Sequence, residues 1–277
     1  MTQNPPIRWR MPLLVRLTLA LHAAMLAVVI VAPQLWPWVL AALVANHALI
    51  TAVGLWPRST WLGANWTRLP AASAARGEIA LTIDDGPNPE VTPQVLDMLD
   101  RYGVKATFFC IGEHALRHPD LCQAIVARGH AVENHSQHHR HHFSVMGMAG
   151  LTREIAEAQA TLSRITGHRP LFFRAPAGLR NPFLDPVLAR LGLRLAAWTR
   201  RGYDTRTADA DAVSRRLLPD VKAGAILLLH DGNCARTAAG VPVILAVLPR
   251  LIEAAHGAGL HFVTLPAALQ SANPTHP

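Results

Sequence analysis

Two apolar stretches of 22 residues, Met11 to Ala32 and Leu35 to Trp56, are separated only by Pro33-Gln34. They constrain this chain more than any other feature. About 20 apolar residues suffice to cross a bilayer as helix, so the pair predicts a two-helix transmembrane hairpin within residues 1–58. A cleaved signal peptide is the alternative. Against it, the first run is long, no A-x-A-like site closes it, and a second run follows at once. Trp36 and Trp38 sit at the turn, and Trp9, Trp56, Trp61 and Trp66 near the opposite boundary, where an indole ring is favoured. His22 and Asn46-His47 fall near mid-depth, where unpaired polar groups are costly. In an antiparallel hairpin they are expected to meet and hydrogen-bond as helix glue.

The net charge of +8 over 277 residues needs the same topological reading. Residues 1–77 hold six arginines (Arg8, Arg10, Arg16, Arg58, Arg68 and Arg76) and no acid, and the connecting turn is uncharged. The rest of the chain is nearly neutral. Positive residues flanking the spans place both ends of the hairpin in the cytoplasm, although a re-entrant second segment would reverse the side. Arginine runs interleaved with stacking aromatics are absent, so no nucleic-acid partner is expected. Composition, 51% hydrophobic and 16% charged, excludes disorder. The three cysteines, Cys110, Cys122 and Cys234, are odd in number and widely spaced, which excludes a disulfide framework and a zinc ribbon.

Residues 59–77, rich in small and polar side chains, read as a linker, 78–268 as a folded domain and 269–277 as a tail. In the domain short apolar runs (79–83, 106–111, 171–173, 193–198, 225–229, 261–265) alternate with longer helix-period segments (92–102, 120–128, 151–165, 181–191, 209–218, 241–258). That alternation predicts an α/β fold with a parallel sheet, open or closed into a barrel, and puts chemistry at the carboxyl ends of the strands. Polar residues gather there: Asp84-Asp85-Gly86-Pro87, Arg174-Ala175-Pro176-Ala177-Gly178 and His230-Asp231. Adjacent carboxylates repel, and a cation relieves them, leaving one acid free to take a proton. An Asp-Gly turn is the simpler alternative. His135 and His139, spaced i, i+4 in His135-Ser136-Gln137-His138-His139, can present two imidazoles to one ion; a nonspecific histidine tract is the competing explanation.

Taken in order, Thr82 to Pro87, His135 to His139, Arg174 to Gly178, Trp198 to Asp204 and Leu228 to Asp231 resemble the five motifs of the polysaccharide deacetylase family, the NodB-homology or carbohydrate esterase family 4 proteins. The resemblance covers about residues 78–268 and leaves the hairpin outside. It implies a distorted (β/α) barrel of NodB type, which would follow the N-terminal transmembrane hairpin read from the apolar runs, and a metal-dependent hydrolase of non-peptide carbon–nitrogen bonds. By that likeness Asp85, His135 and His139 hold one divalent metal ion, most often zinc. Asp84 is the general base, oriented by Arg174. His230 is the general acid, held by Asp204. Ala177 supplies an oxyanion N–H, and Leu228 and Trp198 line the acyl pocket.

The implied substrate is an N-acetyl or N-formyl amino sugar, in a glycan or on a polyprenyl phosphate. The apolar hairpin, not the resemblance, points to a bacterial-type inner or cell membrane as the location. Departures from the family pattern are Ile83 for phenylalanine, Ala177 for a frequent aromatic, Thr205 for tryptophan and Arg201 for an acid. With Arg200 and Arg206 the last makes one side of the site basic, which suits an anionic substrate such as a sugar phosphate. A noncatalytic membrane-anchored glycan- or metal-binding protein is the competing reading. The presence of every acid, base and ligand type weighs against it.

Overall fold

A computed structural model describes residues 7–272. Beyond them lie the first six residues of the hairpin segment and most of the expected tail. Eight parallel strands form one curled sheet: β1 (Glu78–Asp84), β2 (Thr107–Cys110), β3 (Ala131–Asn134), β4 (Phe172–Phe173), β5 (Arg194–Leu195), β6 (Arg200–Arg201), β7 (Ile226–His230) and β8 (His261–Phe262). Their order is β5-β4-β3-β2-β1-β7-β6, with β8 paired to the start of β1. The edge strands β5 and β6 are consecutive in the chain, so the sheet bends round until its edges are joined by residues 196–199. This is the distorted α/β barrel expected from the sequence.

The two-residue period of a strand explains how one run serves both core and site. Along β1, Ile79, Leu81 and Ile83 enter the main apolar core beneath the outer helices, while Ala80, Thr82 and Asp84 face the barrel interior. Along β7, Leu227 and Leu229 join the same core, and Leu228 and His230 face the interior. Each fully buried side chain of this kind contributes about 1.5–3 kcal/mol. The helices Met148–Thr166 and Leu184–Leu191 end at Gly167 and Gly192, both left-handed, where glycine carries no Cβ penalty.

β3, β6 and the helix Gly112–Arg117 were not foreseen. β3 escapes detection because Ala131-Val132-Glu133-Asn134 is short and half polar. Glu133 is nevertheless buried there, accepting hydrogen bonds from the Leu171 and Phe172 amides, and burial raises its pKa to about 8.

The stretch expected to be a linker is laid against the sheet. Trp66 bridges to Ala196 and Arg68 to Ala225, so residues 66–69 cover the gap between β5 and β7. Leu62 and Leu69 are buried, and Ala71–Ala75 forms a short helix. Backbone pairing, invisible to composition, decides this.

Two helices, α1 (Leu13–Val31) and α2 (Trp36–Gly54), are long and apolar enough to cross a membrane and turn most of their side chains outward. The polar residues expected at mid-depth come together, but His22 packs on His47 and does not form the expected hydrogen bond with Asn46 or His47. Thr18 donates to Asn46, and the His22 and His47 rings pack edge to face at 5.3 Å. Each ring also bonds the carbonyl four residues back.

The far end of α2 is built into the domain. Gly54 is buried, its carbonyl accepts from Arg180 N at 3.1 Å, and a Cβ there would collide with the Arg180 carbonyl. Arg180 reaches back to the Ser59 carbonyl and Arg58 to Thr199 O.

Candidate active site

Because all strands run parallel, the acidic, basic and imidazole residues at their carboxyl ends converge. Register alone sets Asp84 opposite His230 on neighbouring strands. β3 delivers His135 and β4 delivers Arg174, whose amide bonds to Asn134 O. Asp84, His135 and His230 border an open cleft of about 310 Å³. Its lining includes Asp84, Asp85, His135, His139, Ala177, Trp198, Leu228 and His230, eight of the ten residues predicted from sequence. The other two, Arg174 and Asp204, lie immediately behind this wall and hold Asp84 and His230.

Asp85, His135 and His139 bring one donor atom each within 4.8 Å of one another. His135 Nδ1 donates to Arg174 O at 2.8 Å, which turns Nε2 toward the cleft, 3.1 Å from Asp85 Oδ1. His139 Nε2 lies 3.3 Å from the same oxygen. The two histidines occupy a tight turn, with Ser136 Oγ accepting from the His139 amide. His138 points elsewhere, to Glu154. Burial pushes the His139 pKa down to about 4, so the ring is neutral at pH 7. Burial alone would raise the Asp85 pKa, but the hydrogen bond and charge of His135 hold it below its ordinary value. One carboxylate and two imidazole nitrogens, convergent and half enclosed, form a donor set that suits a divalent ion.

Asp84 sits beside this group and belongs to another network. Arg174, 1% exposed, donates Nη1 to Asp84 Oδ1 at 2.6 Å and to Thr82 Oγ1 at 2.8 Å. Its Nε and Nη2 bond to the carbonyls of Ala196 and Ala197. A planar guanidinium so satisfied cannot rotate, and it fixes one carboxylate oxygen while the other remains toward His135 and the cleft.

His230 is fixed from behind by Asp204, which is fully buried. The Asp204 carboxylate accepts from His230 Nδ1 at 2.9 Å and from the His230 amide at 2.7 Å, leaving Nε2 for the cleft. Burial disfavours the imidazolium, but the charge and hydrogen bond of Asp204 outweigh it and raise the pKa to about 9. This ring is charged at neutral pH.

Backbone strain gathers here as well. Among the described residues, the non-glycine residues with left-handed φ are Asp85 (73°), Ser136 (66°), His139 (49°), Ala177 (54°), Tyr203 (60°) and Asn233 (57°). Four of the six line the cleft, and the other two adjoin His135 and Asp204. Conformations of this kind cost roughly 1–3 kcal/mol each and persist only where surrounding structure imposes them.

Sequence reasoning gave no role to Asn233 or to Asp231. Asn233 lines the cleft near Asp85. Asp231 is fully buried, takes hydrogen bonds from Thr92 and the Gly232 amide, and is raised by burial to about 7. It packs so closely under Gly86 that a Cβ there would overlap its carboxylate, so it sets the height of the Asp84-Asp85-Gly86 loop. The Asp231-Gly232-Asn233 run was the available signal. Of the three arginines expected to make the site basic, Arg201 and Arg206 line the cleft, but Arg200 lies outside it, paired with Asp220.

Comparison with known proteins agrees with this geometry. Residues 71–196 match the polysaccharide deacetylase family model. A chitooligosaccharide deacetylase of Sinorhizobium fredii is 35% identical over 204 residues, covering 72% of this chain and 94% of that protein. A crystal structure of a peptidoglycan N-acetylglucosamine deacetylase superposes with a TM-score of 0.66 at 27% identity, over 74% of this chain and 92% of that one. A family 4 carbohydrate esterase from Streptomyces lividans, solved with acetate, gives 0.60 at 33% identity, over 67% and 91%. With a relative this similar matched along nearly its whole length, the chain belongs to the polysaccharide deacetylase family of carbon–nitrogen hydrolases.

Proposed function

We propose that this protein is a membrane-anchored, metal-dependent N-deacylase that removes an acetyl or formyl group from an amino sugar in a polysaccharide or lipid-linked saccharide. The observation that carries the reading is the convergence of Asp84, the Asp85–His135–His139 donor group and His230 in one cleft. The chain's relatives, deacetylases of chitooligosaccharide and of peptidoglycan N-acetylglucosamine, support an amino-sugar substrate.

Asp85, His135 and His139 would hold the divalent ion, with zinc favoured by the mixed nitrogen and oxygen donors. When bound, such an ion polarises the acyl carbonyl and lowers the pKa of water. Asp84, held by Arg174, accepts the proton of the attacking water. The Ala177 N–H donates to the carbonyl oxygen as negative charge develops there. His230, charged and held by Asp204, gives a proton to the amine nitrogen as the carbon–nitrogen bond breaks. Water and amide are thereby converted to carboxylic acid and free amine, and proton exchange with solvent returns Asp84 and His230 to their starting states. Trp198 and Leu228, packed together with Ala197, wall a small apolar space suited to an acyl methyl. The hairpin and its flanking arginines support an integral membrane protein with the domain on the cytoplasmic side.

Full-length protein in detergent should release acetate or formate from N-acylated amino-sugar oligomers, lose the activity on chelation and regain it with zinc. Release that survives chelation, or metal binding without any release, would refute the assignment; the second outcome is what a noncatalytic binding protein would give.

A pH prediction follows from His230. Its raised pKa keeps the required imidazolium until the pH rises through about 9, well above its ordinary value of 6.5. The alkaline limb of kcat/KM should therefore lie near pH 9. Asp204→Asn should move it down toward about 6.5, the ordinary histidine value. Identical limbs in the two proteins would show that His230 is not the acid.

A further inference from the structure

The cleft contains two arginines that the deacylation chemistry leaves unused. Neighbouring strand residues point to opposite faces, so Arg200 leaves the barrel to pair with Asp220 while Arg201 faces the cleft beside Leu228. The half-buried guanidinium of Arg201 lies 5.3 Å from the Trp198 ring centre and 4.5 Å from that of Tyr203. Its Nε is buried with no hydrogen-bond partner. Arg206, more exposed, lines the same cleft. Among the described residues neither has an acidic partner, in contrast to Arg174 and Arg200. A half-buried cation without a counter-charge is costly, and an anion supplied by the ligand removes the cost.

A second observation concerns where this wall lies. Pro57, just beyond the end of α2, approaches Gly178 so closely that a Cβ on that glycine would sit 2.7 Å from it and 2.5 Å from Trp198. Gly178 and Trp198 line the cleft, and Arg58 bonds the carbonyl of Thr199. The arginine-bearing wall thus begins where the chain leaves the apolar span.

We propose that Arg201 and Arg206 form an anion subsite that binds a phosphate group carried by the amino-sugar substrate. The inference rests on the N-deacylase reading and narrows its substrate to phosphate-bearing amino sugars. The phosphate could belong to a membrane lipid or to a soluble sugar phosphate, and the position of the wall beside α2 suits the lipid.

Equilibrium binding to the full chain carrying Asp84→Asn, in detergent micelles, tests this without turnover. The probes are N-acetylglucosamine 1-phosphate, its octyl phosphodiester and neutral chitobiose. The phosphorylated probes should bind at least about tenfold more tightly than chitobiose, the gain expected of one charge-assisted contact. Added Arg201→Gln or Arg206→Gln should erase most of that preference, and Arg201→Lys should retain part of it. Arg200→Gln, outside the cleft, should leave it unchanged. Salt should weaken the phosphorylated probes selectively. Tighter binding of the octyl diester than of the free monophosphate identifies a lipid source; equal binding identifies a soluble one. Equal affinity for neutral and phosphorylated probes, or a preference that survives both glutamine substitutions, overturns the subsite. Failure of the N-deacylase reading would show separately, as wild-type protein releasing no acid from any of the three probes.

Discussion

Asp84→Asn is expected to lower kcat by about 10²- to 10⁴-fold, the usual contribution of a positioned general base. Asparagine has the shape of aspartate and can still accept the Arg174 hydrogen bond, but it cannot take a proton. The Asp85, His135 and His139 donors are separate side chains, so metal uptake should stay close to that of the unsubstituted protein. Initial rates on an N-acylated oligomer, measured beside metal content, distinguish loss of the base from loss of the ion. A variant that keeps more than about a tenth of the activity would assign the proton transfer to another group.

Arg174→Met should have the largest effect on stability. Removing one member of a buried ion pair typically costs about 3–5 kcal/mol, because the remaining charge stays buried and uncompensated. Arg174 and Asp84 both qualify, at 1% and 4% side-chain exposure. Methionine would also leave Thr82 Oγ1 and the carbonyls of Ala196 and Ala197 without their donor. Denaturant unfolding in detergent should show the loss. Combining Arg174→Met with Asp84→Leu should recover much of it, since a buried pair replaced by apolar side chains is often neutral. A single variant as stable as the parent would mean that Asp84 is held by something other than Arg174.

Much of the site was legible because its residues adjoin apolar runs. Asp84, Arg174 and His230 each follow a strand whose hydrophobicity is plain, and parallel strands place such residues at one end of a sheet. The contact between His22 and His47 was legible too, since two apolar helices of equal length joined by a tight turn fix which positions meet. Other features were hidden for physical reasons. β3 is too short and too polar to register as a strand, yet it delivers His135. Asp231 stood out only as a polar residue at a strand end, and its role under Gly86 depends on a fit between two loops far apart in sequence. Arg200 and Arg201 are chemically alike, and only the alternation of β6 sends one out to Asp220 and the other into the cleft.

Sequence by itself determined the apolar spans, the alternation of strand and helix, and the acids, bases and imidazoles available for chemistry. These follow from local periodicity and residue type, which need no partner. Tertiary structure alone decided that residues 59–77 cover the sheet, that the end of α2 is wedged against the Gly178 loop, and which oxygen or nitrogen of each side chain is free. Those outcomes depend on backbone pairing and close packing between distant segments, where a single Cβ at Gly54 or Gly86 would not fit.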